Sequence, residues 1–169
     1  HSINYALKNF HCKKVFVSSD NERILKISKK YGASLIKRPY EISDDHTKTV
    51  DVLKHSLNFF KNNNIDCDAI ILLQPTNPIR PADLIKKSIK LFEKNSRNSL
   101  ASFTVLNKKY GTISNNLFTP SNYKPGQRSQ DIESQYYENG LIYITKAESI
   151  LNNKIITQDV YPHILNNIF

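Results

Sequence analysis

The chain has 169 residues, 39% hydrophobic and 10% aromatic, which suits one globular domain with a core and excludes a disordered tract. No stretch approaches the ~18 consecutive apolar residues of a membrane span. The formal net charge of +9 favours anionic ligands such as nucleotides, acidic sugars or nucleic acid, but the lysine pairs at 13–14, 29–30, 86–87 and 108–109 are dispersed, as on solvated faces, and argue against a single nucleic-acid groove.

In chain order, Ile3, Ala6, Leu7 and Phe10 make a helical stripe, followed by a short strand at 15–19. Ser19 to Glu22 reads S-x-x-E, a capping box, opening a helix with Ile24, Ile27 and Tyr31 on one face and Gly32 as its stop. A second short strand at 33–36 runs into Arg38-Pro39-Tyr40-Glu41. The polar loop 43–49 feeds a long helix with Val50, Leu53, Leu57 and Phe60 as its buried stripe. Ile70, Ile71, Leu72 and Leu73 then read as a central parallel strand buried on both faces. It ends abruptly, because Pro75 and Pro78 forbid both further pairing and an immediate helix. Gln74, Thr76, Asn77 and Arg80 give that stiff loop its hydrogen-bonding groups.

Pro81 and Asp83 open the next helix, with Leu84, Ile85, Ile89 and Phe92 toward the core. A strand at 99–105 alternates Ala101, Phe103 and Val105. Residues 106–138 are polar and contain Pro120, Pro125 and Gly126, the texture of a long functional loop or an arm of hairpins. Asn139-Gly140 precedes a strand at 141–144, and T-K-A-E at 145–148 is a second capping box for a short helix. Strands thus alternate with helices, which predicts an α/β domain with a mainly parallel sheet covered on both faces.

In such a sheet, ligands bind at the carboxyl ends of the strands. The groups placed there are Ser18, Ser19 and Asp20, then Arg38, the loop 74–80, and the approach to Asn139. Arg38 and Arg80 have the chemistry to clamp phosphate or carboxylate; a surface salt bridge is the alternative for each. No Ser/His/Asp order, GxGxxG or Walker loop is present. Cys12, Cys67 and the five histidines show no metal spacing, and the isolated cysteines fit a reducing, cytoplasmic setting. On residue chemistry alone the chain is an α/β domain with a polar, cationic crevice suited to an anion.

Five segments carry a family resemblance. V-S-S-D at 17–20 is similar to V-S-T-D. R-P-Y-E-I at 38–42, with Asp45, Thr47 and Thr49, is similar to R-P-x-E-L-x-x-D-T-x-x-[ST]. L-L-Q-P-T-N-P-I-R at 72–80 is similar to L-L-Q-P-T-S-P-L-R, with Asn77 in place of serine. Q-R-S-Q-D at 127–131 and Y-E-N-G-L-I-Y-I at 137–144 are similar to R-R-Q-D-L and x-x-N-G-A-I-Y-I. Together they resemble the CMP-N-acylneuraminate synthetases, or acylneuraminate cytidylyltransferases.

That resemblance implies a Rossmann-like, three-layer nucleotide-diphospho-sugar transferase fold in a single domain, with 106–138 as a protruding dimerisation arm and a homodimer as the assembly. It implies that CTP and an acidic nine-carbon sugar react to give the CMP-sugar and pyrophosphate, with Mg²⁺ assisting. Legionaminic acid, pseudaminic acid and Kdo are the alternative sugars, though the Q-P-T-x-P-x-R loop favours acylneuraminate over Kdo. By matching position, Arg38, Asp45 and Thr49 fall to the nucleotide. Gln74, Thr76, Arg80, Arg128, Gln130, Asn139 and Gly140 fall to the sugar side, with glycine letting the backbone approach closely. A helix N-cap is the other reading of Asp45, and an ion pair with Asp83 the other reading of Arg80. The family's glycine- and lysine-rich phosphate loop would precede His1, and its metal-binding aspartates would follow Phe169. The chain is therefore expected to be an incomplete and inactive piece, with the Mg²⁺ ligands and the catalytic residues outside it. A non-catalytic basic module for nucleic acid is the reading from a different class; the absence of RRM, KH and OB signatures opposes it.

Overall fold

The computed structural model describes residues 1–10 and 14–165, so the readings on His11, Cys12 and Lys13 lie outside the described residues. Helix α1 (Ser2–Leu7) precedes β1 (Phe16–Ser19), α2 (Glu22–Lys30) and β2 (Ser34–Lys37), with β1 and β2 paired in parallel. Next come a 3₁₀ turn (Tyr40–Ile42), α3 (Thr49–Asn62), β3 (Ala69–Leu72), α4 (Leu84–Asn95) and β4 (Ser99–Leu106). A hairpin, β5 (Gly111–Ser114) and β6 (Leu117–Pro120), leads through a 3₁₀ turn (Ser129–Asp131) to β7 (Gln135–Lys146), α5 (Ala147–Leu151) and β8 (Tyr161–Ile164).

The main sheet has the order β3-β7-β4-β8. The α/β layering follows the expectation, but the direction of the sheet is mixed. β4 and β8 are parallel, whereas β7 runs antiparallel to both β3 and β4. The physical reason is the excursion between β4 and β7. It returns the chain as an extended hairpin, and an antiparallel neighbour needs no crossover helix. β3 packs on both faces as its aliphatic run predicts, though its residues are only partly buried. Ile70 and Leu72 pack with Ile36, Leu53, Leu57, Phe60 and Ile150, beneath α3 and α5. Ile71 and Leu73 join Leu84, Ile85, Leu100, Leu141, Ile142 and Ile144, beneath α4. The expectation of a central parallel strand is corrected, because among the described residues β3 pairs only with β7. Phe16 bridges the two sheets by packing, with its ring centroid 4.7 Å from that of Phe60.

Two local readings shift. The cap of α2 is Asn21, whose side-chain oxygen accepts from the amides of Arg23 (2.9 Å) and Ile24 (3.2 Å); Ser19 accepts instead from the Asn21 amide. The helix is also rotated from its expected face. Leu25 and Ser28 are buried, while Ile24, Ile27 and Tyr31 are 49%, 45% and 56% exposed. Ser28 tolerates burial because its hydroxyl donates to the Ile24 carbonyl at 2.8 Å. The stop at Gly32 holds, with φ +88°. In the 106–138 segment, Asn115 and Asn116 both take positive φ (50° and 63°), as a tight primed hairpin turn requires.

Ile142, fully buried in the α4-side cluster, is expected to cost about 2–5 kcal/mol on truncation to alanine. Ile24→Ala is expected to change stability by no more than ~0.5 kcal/mol. Urea titrations of both variants check the rotated face of α2.

His163 on β8 is buried, and its Nδ1 lies 2.8 Å from the Ser88 hydroxyl. Burial, then the nearby Lys87 ammonium, hold its imidazole below the ordinary 6.5; Asp83 opposes this weakly. A folded-state pKa below the unfolded one means that the unfolded chain takes up the proton first. Stability is therefore expected to fall as pH drops below about 6.5, until the folded imidazole also protonates. His163→Gln is expected to flatten that segment of the curve of urea midpoint against pH.

Candidate functional site

The loop after β3 begins with a turn in which the Asn77 amide donates to the Gln74 carbonyl at 3.2 Å. Arg80 then folds back inside. It is 8% exposed, and its guanidinium donates to the Gln74 carbonyl (2.7 Å), the Leu141 carbonyl (2.7 Å) and the Ser2 hydroxyl (3.0 Å). Its carbon lies 5.9 Å from the centre of the Tyr5 ring, and Tyr5 Oη donates to the Pro81 carbonyl at 2.6 Å. Burial lowers the Arg80 pKa and raises that of Tyr5. Asp83 pairs instead with Lys87 at 2.6 Å, which removes the proposed Arg80–Asp83 partnership.

Opposite this loop, β7 leaves its ladder. Tyr143 stands across from Ala101 and Glu138 across from Phe103, so residues 139–142 face Ser102 alone. The fully buried Ser102 hydroxyl donates to Asn139 Oδ1 (2.5 Å) and accepts from the Ile142 amide (3.1 Å). Asn139 Oδ1 also accepts from the Leu141 amide (3.1 Å), and its Nδ2 donates to Thr104 Oγ1 (2.9 Å). These side chains replace the missing ladder bonds, because buried backbone groups must be paired.

The loop and the bulge meet at Gly140. Asn77 Nδ2 donates to the Gly140 carbonyl at 3.1 Å. Gly140 has φ +69°, and a Cβ there would sit 2.8 Å from Asn77 Nδ2 and 3.1 Å from Gln74 Oε1. Tyr143 Oη would be 3.8 Å from that same point, and it donates to Glu138 Oε2 at 3.3 Å. Burial, then the Glu138 carboxylate, raise the Tyr143 pKa.

Gln74, Arg80, Asn139 and Gly140 are thus brought together, and two of them change role. The Asn139 amide is occupied inside the bulge, and the Arg80 guanidinium behind the loop. Neither side chain is presented to a ligand, which corrects the direct contact expected of Arg80. The Gln74 amide has no hydrogen-bond partner among the described residues and stands beside Gly140; Thr76 is exposed in the same loop.

Arg38 sits at the end of β2. It donates through Nε to Ser43 Oγ (3.1 Å) and through Nη2 to Asp20 Oδ1 (3.4 Å). In the following loop Asp44, not Asp45, makes the local turn, accepting from the Thr47 hydroxyl at 2.6 Å and the His46 amide at 3.1 Å. The Thr47 bond holds the Asp44 carboxyl below its usual range. Lys48 occupies the N-cap position of α3 without a side-chain capping bond, so the N-cap reading of Asp45 is corrected too; Thr49 is the first helical residue. An open cavity of about 410 Å³ lies beside this loop, with Glu41, Asp44 and Asp51 against Lys48 in its lining. Three carboxylates make it a poor place for a triphosphate. Arg128 is exposed and held by Asp131 at 2.9 and 3.1 Å, with Gln130 exposed next to it. No hydrogen bond or ion pair joins either to the Gln74–Gly140 group.

The sequence marked Asn77 only as one of the loop's polar groups, with no role at the site, and gave none to Ser102, Thr104, Glu138 or Tyr143. The available signal was Ser102 and Thr104, two hydroxyls at i and i+2 on the strand face opposite Ala101 and Phe103.

The same fold is found in a CMP:2-keto-3-deoxy-manno-octonic acid synthetase solved in complex with CTP. The likeness has a TM-score of 0.68 and covers 98% of this chain and 78% of that one; at 13% identity it is a likeness of fold. The class this defines is one of architecture, the α/β fold of that synthetase. More narrowly, the cytidylyltransferase family matches residues 1–164, and the chain belongs to it. An N-acylneuraminate cytidylyltransferase of Streptococcus agalactiae serotype III is 28% identical over 200 residues, covering 100% of this chain and 46% of the relative. A CMP-N,N'-diacetyllegionaminic acid synthase of Legionella pneumophila is 29% identical, covering 99% of this chain and 75% of its own length. A pseudaminic acid cytidylyltransferase of Campylobacter jejuni is 27% identical, with 96% and 72% covered. The chain thus spans about half the length of the streptococcal relative.

Gly140→Ala is expected to destabilise the protein by roughly 1–3 kcal/mol, from positive φ and the clash with Asn77. Adding Asn77→Ala is expected to recover the steric part and leave the backbone part. Melting temperatures of the single and double variants test this separation.

Proposed function

We propose that the whole protein activates an acidic nonulosonic sugar of the sialic-acid type with CTP. The anomeric hydroxyl attacks the α-phosphate and gives up its proton to solvent, a bond forms between its oxygen and the α-phosphorus, the bond from that phosphorus to the oxygen bridging to the β-phosphate breaks, and pyrophosphate leaves while CMP stays joined to the sugar. The observation that carries this reading is the Gln74 amide, without a partner among the described residues and held against the bare Gly140 backbone, in a chain of the cytidylyltransferase family. An uncharged amide beside a backbone that carries no side chain recognises sugar hydroxyls and acyl oxygens by hydrogen bonding. Relatives named for acylneuraminate, legionaminic acid and pseudaminic acid favour the nonulosonic class.

In this reading Gln74, Thr76, Gln130 and the Gly140 backbone contact the sugar, and Arg128 exchanges its Asp131 partner for the sugar carboxylate. Arg38, Asp45 and Thr49 serve the nucleotide. Positioning and charge neutralisation supply the rate, since phosphoryl-type transfer needs no covalent intermediate on the protein. The divalent ion assigned to the reaction is Mg²⁺. Among the described residues no three His, Cys, Asp or Glu side chains gather to hold one. We assign the 106–138 arm to a homodimer contact, supported by the exposed Ile113, Leu117 and Phe118 of its hairpin. No helix among the described residues is long and apolar enough to cross a membrane, and a cytoplasmic site of action is part of the proposal.

The test is pyrophosphate release by the whole protein with CTP and a panel of N-acetylneuraminate, legionaminic acid, pseudaminic acid and Kdo. Turnover with a nonulosonic acid is expected. No turnover with any sugar, together with no thermal shift by CTP, overturns the proposal. In the active protein, Gln74→Ala is expected to raise the KM for the sugar about 5–10-fold, the worth of one lost hydrogen bond, with the KM for CTP within about twofold. Unchanged sugar kinetics would remove Gln74 from the sugar site.

A further inference from the structure

We infer that Arg80 is a positioning residue, which sets the gap between Gln74 and Gly140 from behind, and that α1 is part of this device. The inference rests on the sugar-site reading above, but its geometry stands apart from it. Arg80 is a buried cation without a carboxylate partner among the described residues. Burial of such a charge is tolerated only where its donors are satisfied. Two of its acceptors are backbone carbonyls on opposite walls of the same site. One is that of Gln74, whose side chain faces the gap; the other is that of Leu141, next to Gly140. Both bonds are 2.7 Å, and the planar guanidinium separates its Nε and Nη2 by a fixed distance. The spacing of the two walls is thereby set by one rigid group.

The third bond leads away from the site, to Ser2 Oγ on α1, and the same helix supplies the Tyr5 ring and its bond to the Pro81 carbonyl. Ser2 and Tyr5 thus hold the Arg80 side chain and the end of the 74–81 loop from the rear. Asn77 completes the tie from the front through the Gly140 carbonyl. A lysine at 80 keeps the charge but cannot span two carbonyls in one plane. Ser2→Ala leaves Arg80 in place and removes only its rear anchor.

The experiment uses the whole protein with Arg80→Lys, Ser2→Ala and, as a control, the exposed Ser121→Ala. Two readouts are taken: the ¹H–¹⁵N resonances of the Gly140 amide and the Gln74 side-chain amide, and the KM values for sugar and CTP measured separately. Positioning predicts that both resonances shift in Arg80→Lys and, less, in Ser2→Ala, but not in the control. It also predicts a sugar KM raised at least about fivefold in Arg80→Lys, with the KM for CTP within about twofold. Unmoved resonances in Arg80→Lys overturn the inference. A lowered melting temperature with unchanged KM values, or with both KM values raised alike, also overturns it by showing a purely structural role. If Arg80→Lys does not fold, Ser2→Ala carries the same two outcomes. Should the wild type turn over no acidic sugar, the functional reading fails, and the resonances alone decide the positioning of Gly140 and Gln74.

Discussion

The loop after β3 is held against the bulge of β7 by a guanidinium that water barely reaches. Arg80 gives one N–H to the Gln74 carbonyl and another to the Leu141 carbonyl, at 2.7 Å each. Backbone carbonyls in a loop and in a bulge are the groups that secondary structure leaves unpaired, and burying them unpaired is costly. Arg80 satisfies one on each side and so fastens the two segments. The placement of the Gln74 side chain beside the Gly140 backbone depends on that fastening.

The bulge is the second half of the same construction. β7 runs antiparallel between β3 and β4 and must bury Leu141, Ile142 and Ile144 in the core. Over 139–142 it also departs from the ladder facing β4. Ser102, Asn139 and Thr104 take over the hydrogen bonding that the departure breaks, and the positive φ at Gly140 permits the turn. A polar network of this kind is stable only when every member is satisfied, and here each side chain closes on another.

Electrostatics divide the surface. The net charge of +9 gives the protein a general attraction for anions, whereas the cavity beside the 41–51 loop is lined by three carboxylates and works against that attraction locally. Arg38 and Arg128 each sit with one carboxylate, Asp20 and Asp131. Both pairs are partly or largely exposed, and such pairs are weak enough to be exchanged for a ligand. Arg80 is of another kind, buried and bonded to neutral acceptors, and does not exchange. Net charge alone draws no distinction among the three.

The sequence by itself determined the layered α/β plan, the two-faced packing of β3 and the stop of α2 at Gly32, and left the 106–138 segment open between a long loop and an arm of hairpins. The determined features follow from local chemistry: aliphatic runs and a glycine able to take positive φ. The motif at 72–80 drew attention to the loop after β3, whereas N-G at 139–140, expected to precede a strand, lies inside β7 at its bulge. Only the tertiary structure decided which side chains in those motifs face outward. Arg80 and Asn139 have the same hydrogen-bonding inventory as ligand-binding groups, and pattern cannot tell a donor turned toward substrate from one turned toward a carbonyl 61 residues away. The reversal of β7, the face of α2 and the role of Ser102 were hidden for the same reason. Each is set by which distant segment arrives to cover or pair with it, and period and propensity describe only the segment itself.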